Sequence, residues 1–563
     1  MGCGRQPAPG PGAGGTDPQN ERGAQSLGLD FGTESVRALV VDGDSGEEVA
    51  QVVVPYADGV ITRALPPDFA LQNPENYIDS SIGAIRAVLK DVPAAHITGV
   101  GVDFTACTIL PILRDGTPLM RLDRFRGNPH AWVKLWKHHA AQPEADLVNA
   151  VARSRGEPFM QYYSGLVSSE WMLPKCWEVA RHAPEIYAAT DIFIDAGDWI
   201  VQQITGRFTR NSCAAGYKGL WNAELGFPSK DFLGALDPTI RDLDDKWLKN
   251  IVPPGQRAGV VSSAFAERSG LIEGTPVSAA TIDAHSGVAG MGVCREGPVS
   301  LIMGTSTCHM VLSRQLHLFD GYAGVAKDGI IPGFYGYESG QSAVGDIFGW
   351  FAKDFVKTGF DEISAKAAAL KPGASGLVAL DWLNGNRSVF MNAHLTGMVL
   401  GLTLDSRPEE VYRAWVEATA FGTRTIIEAH VSAGIPATEL VVCGGLVKDP
   451  MIMQIYADVM GLPVKVAASS QAVALGAAIF GALASSDAGA QRENAVTPAD
   501  RSSMIEDVIA KMTRPPATVY QPDPAAKSVY DRLYAVYRHA HDHFGRENPE
   551  IMKRLKEIKR ENV

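Results

Sequence analysis

The sequence predicts an α/β protein of two related halves that face each other across a cleft. Three observations predict it. The first ordered stretch reads strand, strand, strand, helix, strand, the order of a mixed sheet with helical cover. A Gly-Thr turn between two apolar strands lies at Gly32-Thr33 and again, 272 residues later, at Gly304-Thr305. Either turn alone means little, but one placed early in each half indicates duplication. Finally, 563 residues exceed one ordinary core and suit two or three domains.

The elements follow in order. Residues 1–25 are rich in Gly, Pro, Ala and Gln without an apolar core, and read as a disordered tail, neither a signal peptide nor a membrane anchor. Residues 26–31 read as a buried strand, Gly32-Thr33-Glu34-Ser35 as a tight turn, Val36 to Asp42 as a second strand and Val49 to Val54 as a third. Residues 74–90 read as a helix, capped by Asn73 and opened by Pro74, and Ile97 to Phe104 as a further strand. The aromatic-rich stretch 120–250 reads as mostly helical elaboration, and Pro253-Pro254-Gly255 as a linker-like break.

The second unit is expected to start near Val277. Pro298 to Met303 and Cys308 to Ser313 are strands around the second Gly-Thr turn. Helices occupy 407–433 and 450–460, the latter capped by Asp449 and ended by Gly461. Gln471 to Leu483 is a helix of small residues, suited to close packing. A terminal helix sets Tyr530, Leu533, Tyr534, Tyr537 and Phe544 on one face, and Lys553 to Arg560 is expected to fray. The domains expected are 26–276 and 277–545, followed by a charged helix or tail at 546–563.

Composition excludes several classes. Hydrophobic residues make up 46% and charged residues 20%, as in soluble globular proteins. With 51 basic against 63 acidic residues the net charge is -12, which argues against nucleic acid as a partner, because a phosphate backbone needs a basic surface. No run of about 18 apolar residues exists, so no membrane-spanning helix is expected. Seven scattered cysteines without a CxxC pair read as reduced thiols of a cytoplasmic protein.

Chemistry could sit at the turns. Glycine beside hydroxyl residues in a hairpin turn exposes N–H groups that can cradle phosphate oxygens. Asp30 ends the strand before the first turn, where a carboxylate can hold Mg²⁺ or simply cap the turn. Its counterpart before the second turn is Ile302, so only one half offers a metal carboxylate. Asp283 ends an apolar stretch before small residues, placed to take a proton from an attacking hydroxyl or to cap a helix. His285 reads as structural. Gly444-Gly445 follows a strand and lets a flat ligand approach the backbone. No GxxxxGK(S/T) loop occurs.

Together, and in this order, these segments resemble the FGGY carbohydrate kinases, within the actin-like ATPase superfamily of ribonuclease H-like domains. Leu27 to Arg37 is similar to the family's first phosphate motif and Met303 to Thr307 to its second. Cys443-Gly444-Gly445 through Asp458 is similar to its adenosine region. Met172-Leu173-Pro174-Lys175 with Trp177, and Gly401 through Ala418, resemble its two signatures. Within the family the likeness is greatest to bacterial members that phosphorylate L-ribulose in arabinose catabolism. It is carried by Gly101 to Thr108, Gly216 to Gly219, Thr281 to His285, Tyr337 to Gln341, Asp381-Trp382 and Asn384 to Arg387. Gln471, where many members have Glu, agrees with that subgroup.

The resemblance implies two actin-like domains with a central cleft and helical insertions. Mg·ATP would lie between them, on Gly32, Thr33, Glu34, Ser35, Gly304, Thr305, Gly345, Gly444, Gly445 and Asp449, with Mg²⁺ at Asp30. Arg37, on the following strand, would do no more than support the first turn. The ketopentose would lie deeper, against the Ala106 backbone, Lys218, Asp283 and Glu338, with Asp283 as the base; a surface salt bridge is the plainer reading of Lys218 and Glu338. Such a kinase is compatible with a homodimer. A sibling kinase of D-ribulose, xylulose or another polyol, and an actin-like ATPase, are the alternatives.

Overall fold

The computed structural model describes residues 23–486 and 498–562. Residues 1–22 of the expected tail lie outside the described residues, but its last residue does not behave as tail. Gln25 already pairs with Asp42 and Ile97, so the first strand begins there. Strand β1 (Gln25–Phe31), β2 (Ser35–Asp42) and β3 (Glu48–Pro55) form the expected antiparallel meander. Helix α1 (Pro74–Val88) is capped by the Asn73 side chain, which accepts from the Glu75 amide. Strand β4 (Ile97–Phe104) lies parallel to β1, setting Asp30 beside Asp103 and Phe31 beside Phe104.

The stretch 120–250 is less helical than expected. It holds helices such as α2 (Met172–His182) and α3 (Ser212–Lys218), but also strands at 133–134 and 192–195. These join Leu71–Gln72 and Ile109–Ile112 in a small four-stranded sheet. Runs of two to four residues are too short to show a period of two, which is why they are not legible in the sequence.

The Pro253-Pro254-Gly255 segment is not a linker. It packs against the core, Gly255 donating to the Ser278 hydroxyl, and the chain rejoins the first sheet as β5 (Arg257–Val260). Strands β6 (Pro276–Ser278) and β7 (Thr281–Ile282) both pair with β4. The expected division at 276/277 therefore cuts through the first sheet. That domain ends after helix α4 (Asp283–Gly290).

The second sheet repeats the first. Strands β8 (Gly297–Met303) and β9 (Thr307–Ser313) form the hairpin, continued by β10 (Gly324–Lys327) and β11 (Tyr335–Gln341). Helix α5 (Pro408–Ser432) precedes β12 (Ala437–Gly444), which lies parallel to β8 as β4 does to β1. The registers correspond: Asp30 pairs with Arg37 and Asp103, Ile302 with Cys308 and Cys443. Helix α6 (Pro450–Met460), β13 (Val464–Val466), α7 (Ala472–Ser485) and β14 (Thr518–Tyr520) follow.

Helix α7 crosses to the first domain and packs on β1, β4 and α4. Its small residues permit this. A Cβ at Gly101 of β4 would stand 1.8 Å from the Ala477 carbonyl oxygen, and one at Gly290 of α4 equally close to that of Ala472. The terminal helix α8 (Pro524–Asp542) buries Tyr530, Tyr534 and Tyr537, while Leu533 and Phe544 are half-buried. Residues 550–561 do not fray but form helix α9 (Glu550–Glu561). Met552 is buried, and Lys556 Nζ donates to the Ala393 carbonyl at 2.7 Å. No helix among the described residues is long and apolar enough to cross a membrane.

Candidate active site

Thr33 of the first Gly-Thr turn and Ser306 of the second line one cavity, and each turn is closed by its own backbone. Gly32 N donates to Ser35 O at 2.9 Å, and Gly304 N to Ser306 O at 2.9 Å. Thr33 is held from both sides: Gln72 Nε2 donates to its carbonyl at 2.6 Å and Trp136 Nε1 to its hydroxyl at 3.1 Å. Glu34 is exposed, with its carboxylate beside Gly59, and Ser35 opens β2; neither lines a described cavity.

A cavity of about 470 Å³ lies between the domains and gathers Ala106, Lys218, Asp283 and Glu338, the four residues expected to bind sugar. Lys218 and Glu338 do form a salt bridge, at 2.8 Å, but a buried one. Glu338 also accepts from Arg387, and His285 Nε2 stands 3.5 Å away. Burial pushes the Glu338 carboxyl up, but Lys218 and Arg387 outweigh it and hold it well below the usual range. Ala106 sits in a tight turn in which Cys107 adopts φ of 56°. Lys175 of α2 fixes that turn: fully buried, it donates to the carbonyls of Cys107 at 2.7 Å and Leu135 at 2.8 Å.

Three carboxylates converge at the cleft end of the first sheet. Asp283, the first residue of α4, accepts from the Ala284 amide at 2.7 Å. Burial raises it to about 7, and the nearby charges of Asp30 and Glu338 add to this against Lys218. Asp30 is raised by burial, while Arg37, across the β1–β2 pair, opposes the rise with an ion pair of 2.6 Å. Arg37 thus engages the carboxylate itself, a larger part than support of the turn. Asp103 is wholly buried and raised well above its usual value, by burial and then by Asp30 and Asp283. Its oxygens make no close hydrogen bond; Asp30 and Ser286 are its polar neighbours.

On the second domain two hollows share Gly445 and Leu446. One, of about 660 Å³, is lined by Gly304, Thr305, Gly345 and Asp346; the other, of about 370 Å³, by Phe360, Ser364, Lys448 and Asp449. Gly345 N donates to Gly304 O at 3.1 Å, which ties the start of the next helix to the phosphate-type turn. Gly444, with φ of 105°, presses its backbone on Met303 and does not itself line either hollow. Asp449 accepts from the amides of Met451 and Ile452 and from the Ser364 hydroxyl, so it shapes the second hollow with both oxygens engaged.

Two domains of the FGGY family of carbohydrate kinases match the chain, the N-terminal domain over residues 25–290 and the C-terminal domain over 299–485. The chain belongs to the FGGY carbohydrate kinases. Ribulokinases of Geobacillus thermodenitrificans and Anoxybacillus flavithermus are each 46% identical to it, over 95% of this chain and 97% of theirs. A xylulose kinase structure from Rhodospirillum rubrum has the same fold, with a TM-score of 0.76 at 22% identity, over 92% of this chain and 99% of that one. The sheets are accordingly the paired actin-like domains of an FGGY kinase, and the break between the matched domains agrees with the division after α4.

Four residues of this FGGY site had no predicted role there: Asp103, Trp136, Lys175 and Arg387. Asp103 and Arg387 stand inside segments that carry the family likeness, and Lys175 inside a signature, which was the available signal. Their positions in the site depend on strand register and on contacts over tens of residues, and Trp136 carries no motif at all.

Proposed function

We propose that this kinase transfers the γ-phosphoryl group of ATP to the 5-hydroxyl of L-ribulose, in the cytoplasmic breakdown of L-arabinose. The observation that carries the reading is the cavity that gathers Ala106, Lys218, Asp283 and Glu338, in a chain 46% identical to ribulokinases over nearly its whole length. The ketopentose lies in that cavity. Lys218 donates to its hydroxyls, Glu338 accepts from them, and the Ala106 backbone orients the chain end.

Asp283 takes the proton of the 5-hydroxyl as that oxygen attacks the γ-phosphorus; the bond to the β–γ bridging oxygen breaks and ADP leaves. The nucleotide phosphates rest on the turns at Gly32-Thr33 and Gly304-Thr305, and the adenosine runs past Gly445 toward the hollow beside Asp449. Mg²⁺ would be held at Asp30 by the oxygen that Arg37 leaves free, with Asp103 next to it on the adjacent strand. Among the described residues no three acidic, His or Cys groups form a metal site alone, so phosphates and water would complete the shell, as Mg²⁺ prefers. Bound there, Mg²⁺ supplies charge neutralisation on the phosphates. The remaining work is positioning and the exclusion of water by the two domains.

The test is ADP release by the purified protein across L-ribulose, D-ribulose, D-xylulose, ribitol and glycerol. L-ribulose is expected to give the highest kcat/KM, and sugar-free ATP turnover to be far lower. A higher kcat/KM for another polyol, or sugar-independent turnover, overturns the assignment.

A further inference from the structure

Glu338 is 2% exposed, and a carboxylate so buried stays ionised only beside a cation. It has two, and they come from different domains. Lys218 belongs to α3 of the first domain, so its 2.8 Å bond to Glu338 exists only while the domains are together. Arg387 belongs to the second domain, as Glu338 does, in the loop between Leu380 and Met398. That loop is built to hold it. Asn386 and Asn392 exchange backbone hydrogen bonds of 2.9 and 2.8 Å, Asn386 Oδ1 accepts from the Phe390 amide, and Ser388 Oγ accepts from the Gly340 amide of β11 at 3.2 Å. The guanidinium lies over Gly340, where a Cβ would stand 3.3 Å from its Cδ and Nη1. Arg387 also lines the sugar cavity and is one-third exposed into it.

We infer that Arg387 is a positioning residue for sugar binding. It keeps the Glu338 carboxylate charged and aimed into the cavity from within its own domain, so that the hydroxyl acceptor is formed before the other domain brings up Lys218. The inference rests on the reading that the cavity takes a ketopentose.

The test compares the full-length wild-type protein with R387M and R387K. L-ribulose binding is measured by calorimetry without nucleotide, and KM and kcat with ATP. R387M is expected to raise the Kd and KM for L-ribulose at least tenfold while leaving the KM for ATP within twofold. R387K should recover most of that loss, because it keeps the charge. Unchanged sugar constants in R387M overturn the inference, as does an equal rise in the ATP KM with no recovery in R387K. If wild type binds no ketopentose, the functional reading and the inference fall together; if it binds and R387M binds equally, only the inference falls.

Discussion

A carboxylate serves as a base at neutral pH when its surroundings delay its ionisation, and Asp283 has such surroundings. It is desolvated at the cleft end of the first sheet and faces the charges of Asp30 and Glu338, which together raise it to about 7 against Lys218. As the proposed base, Asp283 must be deprotonated, so kcat/KM for the sugar should fall as pH drops through about 7 and level off above it. In D283N that inflection should vanish and kcat should fall by about 10²–10⁴-fold, with ATP binding retained by calorimetry. Near-normal turnover in D283N would remove Asp283 from the reaction. Asp30 and Asp283 were legible because each ends an apolar run directly before a turn or helix, a local pattern. Asp103 was not: its part comes from lying across from Asp30 in a parallel pair between strands far apart in the chain, which no local pattern encodes.

At the scale of elements, the seam between α7 and the first domain sets Gly28, Gly99, Gly101 and Gly290 against the alanines and glycines of α7. Where a Cβ would stand 1.8 Å from a backbone oxygen, no rotamer change can make room. G101A should therefore lower stability by at least about 2 kcal/mol, since overpacking typically costs about 1–3 kcal/mol even against movable side chains. At Gly83, in α1, an added methyl would meet nothing within 4 Å, so G83A should instead be neutral or gain about 0.4–1 kcal/mol. The denaturant midpoint should fall in G101A and hold or rise in G83A; equal shifts would mean that the seam can relax. The small-residue helix and both Gly-Thr hairpins could be read from the sequence because close packing and tight turns leave compositional marks. The boundary after α4 could not. Strands β6 and β7 read as the start of something new, and only their pairing to β4 returns them to the first sheet.

Across the whole molecule, the acidic balance of -12 means that ATP must be held by local donors. The cleft is bridged by a buried ion pair, Lys218 of the first domain with Glu338 of the second. Removing Glu338 leaves Lys218 buried without its counterpart, which typically costs about 3–5 kcal/mol, whereas removing both avoids that penalty. K218M and E338Q should each lower kcat/KM for L-ribulose by about 100-fold or more. Because the two groups bind each other as well as the sugar, the double variant should lose less than the product of the single losses, a coupling that a double-mutant cycle measures. Losses that multiply would mean that the bond between them does not set the closed cleft. Arg387 sharpens the expectation. With Lys218 gone it still neutralises Glu338, so K218M should act chiefly on the approach of the domains, raising sugar-free ATP hydrolysis relative to transfer as water enters the cleft.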